Sequence, residues 1–269
     1  MSRPSTSDDL TLHVTQQLRG LVAGDPSPAS LAQALRLLAK WRAAVLERNA
    51  ARHGPPVLGG GPFKGMAYPV RASEGARLPR MFGSYEASLA PVIEQIIARA
   101  YPLVIDIGAA EGYYAVGLAR RMPQARIMAR DGDARALRLC ADLAAANGVA
   151  DRVEIGGIMA QGDFAICAAQ PTVIICDIEG AEADLLDPAL APGLLQADLL
   201  VEVHEGMRPG TLELLTRRFA ASHTITRIDR RLDDSALPPW AEGLNDLDRL
   251  LLLWEWRSSP TPWLWMTRP

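Results

Sequence analysis

The sequence predicts an α/β fold, an open and mostly parallel sheet of seven strands with helices on both faces. From residue 103 onward, apolar runs of strand length alternate with segments of helical spacing, which is typical of parallel strands joined by crossover helices. A short glycine turn at residues 108–112 follows the first run, where such folds pass from strand to helix. The last two runs are joined by residues 230–245, which have no helical pattern, so we expect the last strand to insert antiparallel.

The individual strands are predicted from their apolar runs and from the turn residues that bound them. They cover residues 103–107, 126–130, 153–155, 172–176, 199–204, 224–228 and 249–256. A helix is predicted to open at Ser84, Tyr85 and Glu86 and to lead into the first strand.

Two further helices are predicted ahead of the sheet, at residues 10–22 and 29–51, from apolar residues at helical spacing. Between residues 53 and 80 the chain is rich in glycine and proline, which indicates a loop or short hairpin that could fold over a site. Its candidate lid residues are Phe63, Lys64 and Tyr68. We therefore divide the chain into an N-terminal helical extension with a glycine-rich lid, residues 1–82, and a sheet domain, residues 83–269.

Composition narrows the classes of function. With 269 residues, 49% of them hydrophobic, the chain can bury one large core, and its formal charge of −3 offers no general attraction to nucleic acid. The three cysteines form no CxxC pair, so neither a disulfide framework nor a structural zinc site is expected. The first nine residues lack the apolar run of a signal peptide, and no apolar segment is long enough to span a bilayer. We expect a soluble cytoplasmic protein with neither nucleic acid nor membrane as partner.

The acid before the glycine turn indicates which ligand the turn binds. Asp106 ends the first apolar run, and small residues follow at Gly108, Ala110 and Gly112, where the backbone can approach a ligand closely. A carboxylate there repels a pyrophosphate but accepts hydrogen bonds from an ammonium group. S-adenosylmethionine carries an ammonium and no phosphate. The spacing Asp-x-Gly-x-(Gly/Ala)-x-Gly therefore predicts this cofactor and resembles motif I of the class I methyltransferases.

A second acid supports this interpretation. The run at residues 126–130 closes on Asp131, about where a nucleotide-binding fold places its ribose-binding carboxylate, with Asp133 as the fallback. The alternative is that Asp106 caps a turn and that Asp131 and Gly132 belong to a solvated loop. A nicotinamide-dependent dehydrogenase fits less well, because its G-x-G-x-x-G pattern needs a glycine where this chain has Tyr113.

Polar residues also follow two later strands. Asp177 and Glu179 come directly after the strand at 172–176, and the next strand carries Glu202 and His204 two residues apart, hence on one face. Because the carboxyl ends of parallel strands line the ligand crevice, we expect these four side chains to converge there.

Three interpretations of this cluster remain open. It is a hydrogen-bonded polar network that only braces the loops. Alternatively, Asp177, Glu179 and His204 orient and deprotonate a substrate, with His204 as the preferred proton acceptor. Or Asp177, Glu202 and His204 bind a divalent cation, Mg²⁺ or Mn²⁺, which acidifies a substrate hydroxyl.

Taken together, these motifs resemble the FkbM-like family of class I S-adenosylmethionine-dependent methyltransferases. The likeness extends from about residue 61 to the C-terminus and includes Gly-Pro-Phe-Lys-Gly-Met at 61–66 and Gly-Ser-Tyr-Glu at 83–86. It rests further on Asp106-Ile107-Gly108, on the acid at Asp131, on residues 147–153, on Asp177-Ile178-Glu179-Gly180-Ala181-Glu182 and on Glu202-Val203-His204. Many relatives carry glutamate where this chain has Asp131, which shortens the arm but keeps the carboxylate.

The resemblance implies a Rossmann-like methyltransferase sheet, S-adenosylmethionine as cofactor, and usually O-methylation of a small molecule or glycan. The alternatives are N-methylation of a small molecule and a non-catalytic regulator or scaffold that binds the cofactor; a homodimer is left open. The turn is assigned to the methionyl end, Asp131 to the ribose, and Asp163 to the adenine amine or, equally, to a helix cap. Tyr85 and Glu86 line the cofactor entrance or belong to a capped first turn. The complete predicted cofactor site is Asp106, Gly108, Ala110, Glu111, Gly112, Tyr113, Asp131, Gly132, Asp163, Asp177, Tyr85 and Glu86.

Overall fold

The computed structural model describes residues 7–25, 27–73 and 75–269. The chain divides into two compact units, one within Met1–Pro55 and Leu237–Trp254, the other within Pro56–Ala236 and Glu255–Pro269. The boundary that we expect at residue 82 stays a prediction, and the first six residues of the expected extension lie outside the described residues.

The larger unit contains one seven-stranded sheet. Its strands are β1 (Leu103–Ile107), β2 (Arg126–Arg130), β3 (Val153–Gly156), β4 (Thr172–Cys176), β5 (Ala197–Glu202), β6 (Thr224–Ile228) and β7 (Trp263–Thr267). Their order is β3-β2-β1-β4-β5-β7-β6. Strands β1 to β5 pair in parallel, and β7 inserts antiparallel to both of its neighbours. The predicted fold class, an α/β fold with a seven-stranded, mostly parallel sheet whose last strand is antiparallel, is confirmed.

Helices cover both faces of this sheet. Those of the larger unit are α3 (Arg77–Phe82), α4 (Ala90–Arg99), α5 (Tyr113–Arg121), α6 (Ala134–Ala146), α7 (Glu182–Leu185) and α8 (Thr211–Phe219), with 3-10 helices at Ala87–Leu89, Gln161–Ala168 and Pro192–Gln196. Alternate residues of a strand face opposite ways. In β1, Val104 packs in the core beneath α4, α5 and α6, while Leu103 and Ile105 pack in a second core with α8. Asp106 lies two residues after Val104 and hence on the α5 side of the sheet.

Several apolar side chains of the segment 58–70 belong to the core on that same side. Phe63, Met66 and Tyr68 are at most 1% exposed and pack with α4 and α5. The Phe63 ring lies against the backbone of Gly117 in α5, where a Cβ atom would come within 2.5 Å of it. Phe63 and Tyr68 are thus held in the core, whereas Lys64 of the same loop is exposed. The expectation that these three residues form a lid stays a prediction.

The smaller unit is helical within the described residues. It contains α1 (Ser7–Val22), α2 (Pro28–Ala50), α9 (Asp246–Leu252) and a 3-10 helix at Pro239–Gly243. Ser27 caps α2, accepting a hydrogen bond from the Ser30 N–H at 3.1 Å. Arg42 of α2 donates two hydrogen bonds, at 2.7 and 2.6 Å, to Asp248 of α9. The two helices predicted at residues 10–22 and 29–51 are confirmed. No helix of the described segments combines the length and apolar composition needed to cross a membrane.

Two sequence predictions of secondary structure are wrong. Residues 249–256 were expected as the last strand, but α9 occupies 246–252 and the strand is Trp263–Thr267. An apolar run alone does not distinguish helix from strand; the Asn245 side chain, which accepts from the Asp248 N–H at 3.0 Å, caps a helix here. Nor does a helix open at Ser84, because Glu86 has a left-handed backbone with φ +47° and α4 begins only at Ala90.

Candidate active site

The glycine turn after β1 is shaped by close contact with the end of β4. Gly108 has φ +80°, and a Cβ atom there would lie 1.6 Å from the carbonyl oxygen of Asp177. Gly112 has φ +92°, with Sγ of Cys140 2.7 Å from the corresponding position. Ala110 also has a left-handed backbone, φ +47°. Only glycine fits at the first two positions, so the turn lies directly against the carboxyl edge of the sheet.

Asp106 is a buried carboxylate with an unsatisfied oxygen. The residue is 3% exposed, and its Oδ2 has no hydrogen-bond partner among the residues that the structure describes. Burial raises the pKa of Asp106 to about 7, although a hydrogen bond from the Ala115 backbone opposes the rise. A cavity of about 20 Å³ adjoins the carboxylate. Its lining includes Tyr85, Gly108, Tyr113 and Asp177.

Asp131 lies beside the same turn, at a larger cavity. Its Oδ2 accepts a hydrogen bond from the Ala110 N–H at 2.8 Å, and its Oδ1 accepts from the Asp133 N–H at 2.7 Å. The adjoining cavity of about 320 Å³ is lined by Asp131, Gly132 and Ile158, among others. Ile158 is 83% exposed, so this cavity has an apolar side chain and the carboxylate of Asp131 in its wall.

Glu111 is directed into the protein by a buried ion pair. Its Oε1 lies 3.1 Å from Nη1 of Arg80, and both side chains are at most 4% exposed. The Tyr68 hydroxyl donates to the same carboxylate, and the Ser73 N–H donates to Oε2 at 2.9 Å. Burial acts to raise the pKa of Glu111, but Arg80 and these donors outweigh it and lower the pKa. Arg80 also lies over the ring of Tyr85 at 4.2 Å, so the pair positions the aromatic wall of the small cavity.

Arg257 joins three acids on the other side of the site. Its guanidinium donates to Glu86, to Glu202 and, at 2.9 Å, to Glu255. Burial, followed by the charge of Glu202, raises the pKa of Glu86 to about 7, while Arg257 and a hydrogen bond from the Tyr114 hydroxyl oppose the rise. Burial acts to lower the pKa of Arg257, yet the charges of Glu86 and Glu202 raise it overall.

The imidazole of His204 is held by the buried carboxylate of Glu182. Its Nδ1 is 2.7 Å from Oε1 of Glu182, whose side chain is fully buried. The same oxygen accepts hydrogen bonds from the N–H groups of Ile178 at 3.3 Å and Gly180 at 3.2 Å. With Nδ1–H donating to Glu182, the Nε2 atom is left to face outward. Burial opposes a charged imidazole, but the Glu182 hydrogen bond and nearby acids raise the pKa of His204 overall.

Three carboxylates surround the outward nitrogen of His204. Nε2 lies 3.6 Å from Oδ1 of Asp177, 3.4 Å from Oε2 of Glu179 and 3.5 Å from Oε2 of Glu202. These groups line a cavity of about 200 Å³ whose wall also includes Trp256. Since Asp177 lines all three cavities, the cavities follow one another along the carboxyl edge of the sheet.

The structure brings most of the predicted site residues to this edge. The first two cavities are lined by Asp106, Gly108, Ala110, Glu111, Tyr113, Asp131, Gly132 and Tyr85. The third is lined by Asp177, Glu179, Glu202 and His204. Gly112 packs on Cys140, and Glu86 contacts Arg257 rather than any of these cavities. Asp163 accepts from the Ala160 N–H at 2.8 Å and thereby caps a 3-10 helix, which matches the capping alternative. The predicted roles of these residues toward a ligand stay predictions.

Three residues that position the site, Glu182, Arg80 and Arg257, are not among those predicted from the sequence. Glu182 stands in the motif that carries the resemblance, but no role was assigned to it; its place three residues after Glu179 was the available signal. Arg80 and Arg257 had no local signal. They reach the site from a loop-flanked helix and from the segment before β7, and each is identified only by its contacts.

No family model and no curated protein matches the chain. Several solved structures resemble it in fold. One is the O-methyltransferase from Bacillus cereus in complex with SAH, with 14% identity and a TM-score of 0.44 over 95% of this chain and 97% of that chain. Another is the O-methyltransferase TomG from Streptomyces achromogenes, involved in tomaymycin synthesis, in complex with SAM, with 16% identity and a TM-score of 0.43 over 66% of this chain and 80% of that chain. Likeness at this level carries no argument about function, so the fold assignment rests on the strand order of the sheet itself.

Proposed function

We propose that the protein is an S-adenosylmethionine-dependent methyltransferase that methylates the hydroxyl oxygen of a small molecule or glycan. The observation that carries the proposal is the unsatisfied Oδ2 of Asp106, buried at the end of β1 beside a small cavity. A buried carboxylate without a partner is costly unless a positively charged or donating group satisfies it. An ammonium group is both positively charged and a hydrogen-bond donor.

The neighbouring cavities fit the rest of the cofactor. The 20 Å³ cavity at Asp106 admits a group of about the size of a water molecule or ammonium, since one water needs roughly 10–15 Å³. The 320 Å³ cavity offers Asp131 to ribose hydroxyls and Ile158 to the flat face of a base. A buried carboxylate at the glycine turn repels the pyrophosphate of a dinucleotide, which supports the sulfonium cofactor over a nicotinamide one.

The chemistry that the cofactor supplies is a methyl group on a sulfonium leaving group. An acceptor hydroxyl that took this methyl group would lose its proton to a base, and the leaving group would be the neutral thioether S-adenosylhomocysteine. In this chain Asp106 and Asp131 orient the cofactor, while the cavity at His204 holds the acceptor in line. Asp177 lines both the cofactor cavities and the acceptor cavity, so it lies where the two ligands meet.

The acceptor cavity supports a hydroxyl compound as substrate. Asp177, Glu179 and His204 are hydrogen-bond acceptors or proton acceptors that a sugar or phenol hydroxyl satisfies. Its acidic lining disfavours nucleic acid, because phosphates would be repelled. A hydroxyl must lose its proton for efficient attack, whereas a neutral amine attacks without prior deprotonation, so proton-accepting groups here favour O-methylation over N-methylation.

We further propose, on the motifs of the sequence, that the chain belongs to the FkbM-like subfamily. The segment from Asp177 to Glu182 and the pair Glu202 and His204 support that assignment. Asp177, Glu179, Glu202 and His204 line one cavity, and Glu182 contacts the imidazole of His204. A binding-only regulator has no need of such a cluster at the mouth of its cofactor site, which favours catalysis.

Calorimetry and a transfer assay test the proposal. The wild-type protein is expected to bind S-adenosylhomocysteine and not NAD, and Asp106→Asn is expected to lose that binding while unfolding at a similar temperature. Incubation with methyl-labelled cofactor and fractionated small molecules should then label a hydroxyl compound. NAD binding without S-adenosylhomocysteine binding contradicts the cofactor assignment, and cofactor binding without transfer to any fraction favours the regulator. Label on nitrogen favours N-methylation.

A further inference from the structure

The imidazole of His204 has one ring nitrogen committed to the protein and one directed into the acceptor cavity. Its side chain is 5% exposed, and Glu182 accepts from Nδ1 at 2.7 Å. Carboxylates that accept from the second ring nitrogen of a histidine are the usual outer partners of metal-binding imidazoles, since they fix the tautomer and strengthen the ligand. The Glu182 pairing leaves the Nε2 lone pair available to the cavity.

Negative charge converges on that nitrogen. Oxygens of Asp177, Glu179 and Glu202 lie 3.4 to 3.6 Å from Nε2. N–H···O hydrogen bonds are about 2.7–3.2 Å long, and no hydrogen bond to Nε2 is formed by residues 7–25, 27–73 or 75–269. A positive charge stabilises such a convergence of acids, and either a bound cation or a protonated imidazole supplies one.

Two arginines, Arg80 and Arg257, also line this cavity. Arg257 donates hydrogen bonds to Glu202 of the cluster and to Glu86 and Glu255 beyond it, and Arg80 pairs with Glu111. Arg257 therefore contacts this cluster through Glu202.

We propose that Asp177, Glu179 and Nε2 of His204 bind one divalent cation, with Mn²⁺ preferred to Mg²⁺. One ligand atom from each lies within 4.8 Å of the others, and opposite ligands of an octahedral ion stand about 4.2 Å apart, so small side-chain rotations complete the site. Two carboxylate oxygens suit both ions, whereas an imidazole nitrogen favours the transition metal.

This ligand set differs from the one expected from the sequence, because Glu179 replaces Glu202. Oε1 of Glu202 is held by Arg257 and by the Thr261 hydroxyl at 2.6 Å, which leaves only its Oε2 toward the cluster. Glu179 is half exposed and lies closer to Nε2. Binding of the ion rests on this geometry alone; its use, lowering the pKa of an acceptor hydroxyl, rests on the proposed function.

Electron paramagnetic resonance of Mn²⁺ tests the site without any substrate. Titrating the full chain with Mn²⁺ should remove the free-ion signal with one ion bound per chain, and Mg²⁺ should compete only at higher concentration. Glu179→Gln and His204→Gln should each weaken Mn²⁺ binding at least about tenfold. The matched control is Asp184→Asn, since Asp184 is an acid of the adjacent helix α7, 76% exposed and paired with Arg208; its Mn²⁺ affinity should equal that of the wild type.

Two results overturn the proposal: an undiminished Mn²⁺ signal with the folded wild-type protein, or equal weakening by Asp184→Asn and Glu179→Gln. Glu179 is exposed enough that its variant is expected to fold even where His204→Gln does not. Parallel calorimetry separates this inference from the proposed function. Binding of S-adenosylhomocysteine without Mn²⁺ binding refutes the metal site alone, and Mn²⁺ binding without S-adenosylhomocysteine binding refutes the cofactor assignment alone.

Discussion

Glu182 and His204 form a buried pair, with Oε1 of the acid 2.7 Å from Nδ1 of the imidazole. Their backbones come from α7 and from the end of β5, so the pair links two adjacent elements at the carboxyl edge of the sheet. The other ring nitrogen of His204 consequently has a defined direction, toward Asp177 and the acceptor cavity.

Glu182→Gln should lower the rate of methyl transfer about 10–100-fold, the usual effect of removing an outer carboxylate from a histidine. The glutamine amide offers either an oxygen or an NH₂ group to Nδ1, so the preference for one tautomer is lost. Binding of S-adenosylhomocysteine should be unchanged. Nitrogen-15 NMR of the imidazole reports the tautomer directly, with Asp184→Asn as control. Full turnover by Glu182→Gln, with the wild-type tautomer retained, contradicts a positioning role.

The affinity for S-adenosylhomocysteine should rise with pH up to about 7. Burial raises the pKa of Asp106 to about 7 in the unliganded protein, so at lower pH the carboxyl is protonated and must release its proton to bind an ammonium. Below that pKa, affinity is expected to fall about tenfold per pH unit, and above it to level off. Because the folded pKa exceeds the unfolded one, ionising Asp106 also destabilises the unliganded fold as pH rises toward 7.

Calorimetry in buffers of different ionisation enthalpy measures both the affinity and the proton released. Any binding that Asp106→Asn retains at high ligand concentration should show no pH dependence over this range. A flat profile for the wild type would mean that Asp106 is ionised before the cofactor arrives.

Gly108→Ala should abolish cofactor binding and lower the unfolding temperature. A Cβ atom at this position would lie 1.6 Å from the Asp177 carbonyl oxygen, and the backbone has φ +80°, so the turn must move away from β4. Gly157→Ala is the control, since nothing lies within 4 Å of its Cβ position. Thermal melts with and without S-adenosylhomocysteine compare the two. Unchanged binding by Gly108→Ala would show that contact between the turn and β4 is unimportant for the cofactor.

Gly117→Ala should destabilise the fold although alanine favours helices. The new Cβ atom would come within 2.5 Å of the buried Phe63 ring, and overpacking of this kind costs about 1–3 kcal/mol. Gly20→Ala in α1 meets nothing within 4 Å and should stabilise by up to about 1 kcal/mol. Urea unfolding measures both variants. Adding Phe63→Leu should recover part of the loss in Gly117→Ala; equal stability of the two alanine variants would contradict the packing of Phe63 on α5.

The sequence predicts most strands of the sheet well because a strand that is buried on both faces is a continuous apolar run. Strands such as Leu103–Ile107 and Thr172–Cys176 are continuous apolar runs, and their buried positions match the structure. Asp106, Asp177 and His204 were identifiable for the same reason: a polar residue at the end of an apolar strand falls at the carboxyl edge.

The same reasoning is less reliable where the local pattern is ambiguous. The leucine-rich run at residues 249–253 has the composition of a buried strand, but the Asn245 cap and packing against α2 make it a helix. Phe63 and Tyr68 lie in a glycine-rich segment that resembles a mobile loop, yet both rings are buried. A glycine-rich composition indicates that the backbone forms a loop, but it does not show whether the side chains of that loop are buried in the core.

The sequence by itself determined the first six strands, the glycine turn behind Asp106 and the acids that follow β4, since each depends on periodicity or on near neighbours. Only the tertiary structure decided the partners of these groups. Glu202 pairs with Arg257 across 55 positions, and Glu86 pairs with the same arginine across 171. Such ion pairs arise where packing of the core brings distant segments together and burial forces each charge to find a partner, and neither process leaves a local trace in the chain.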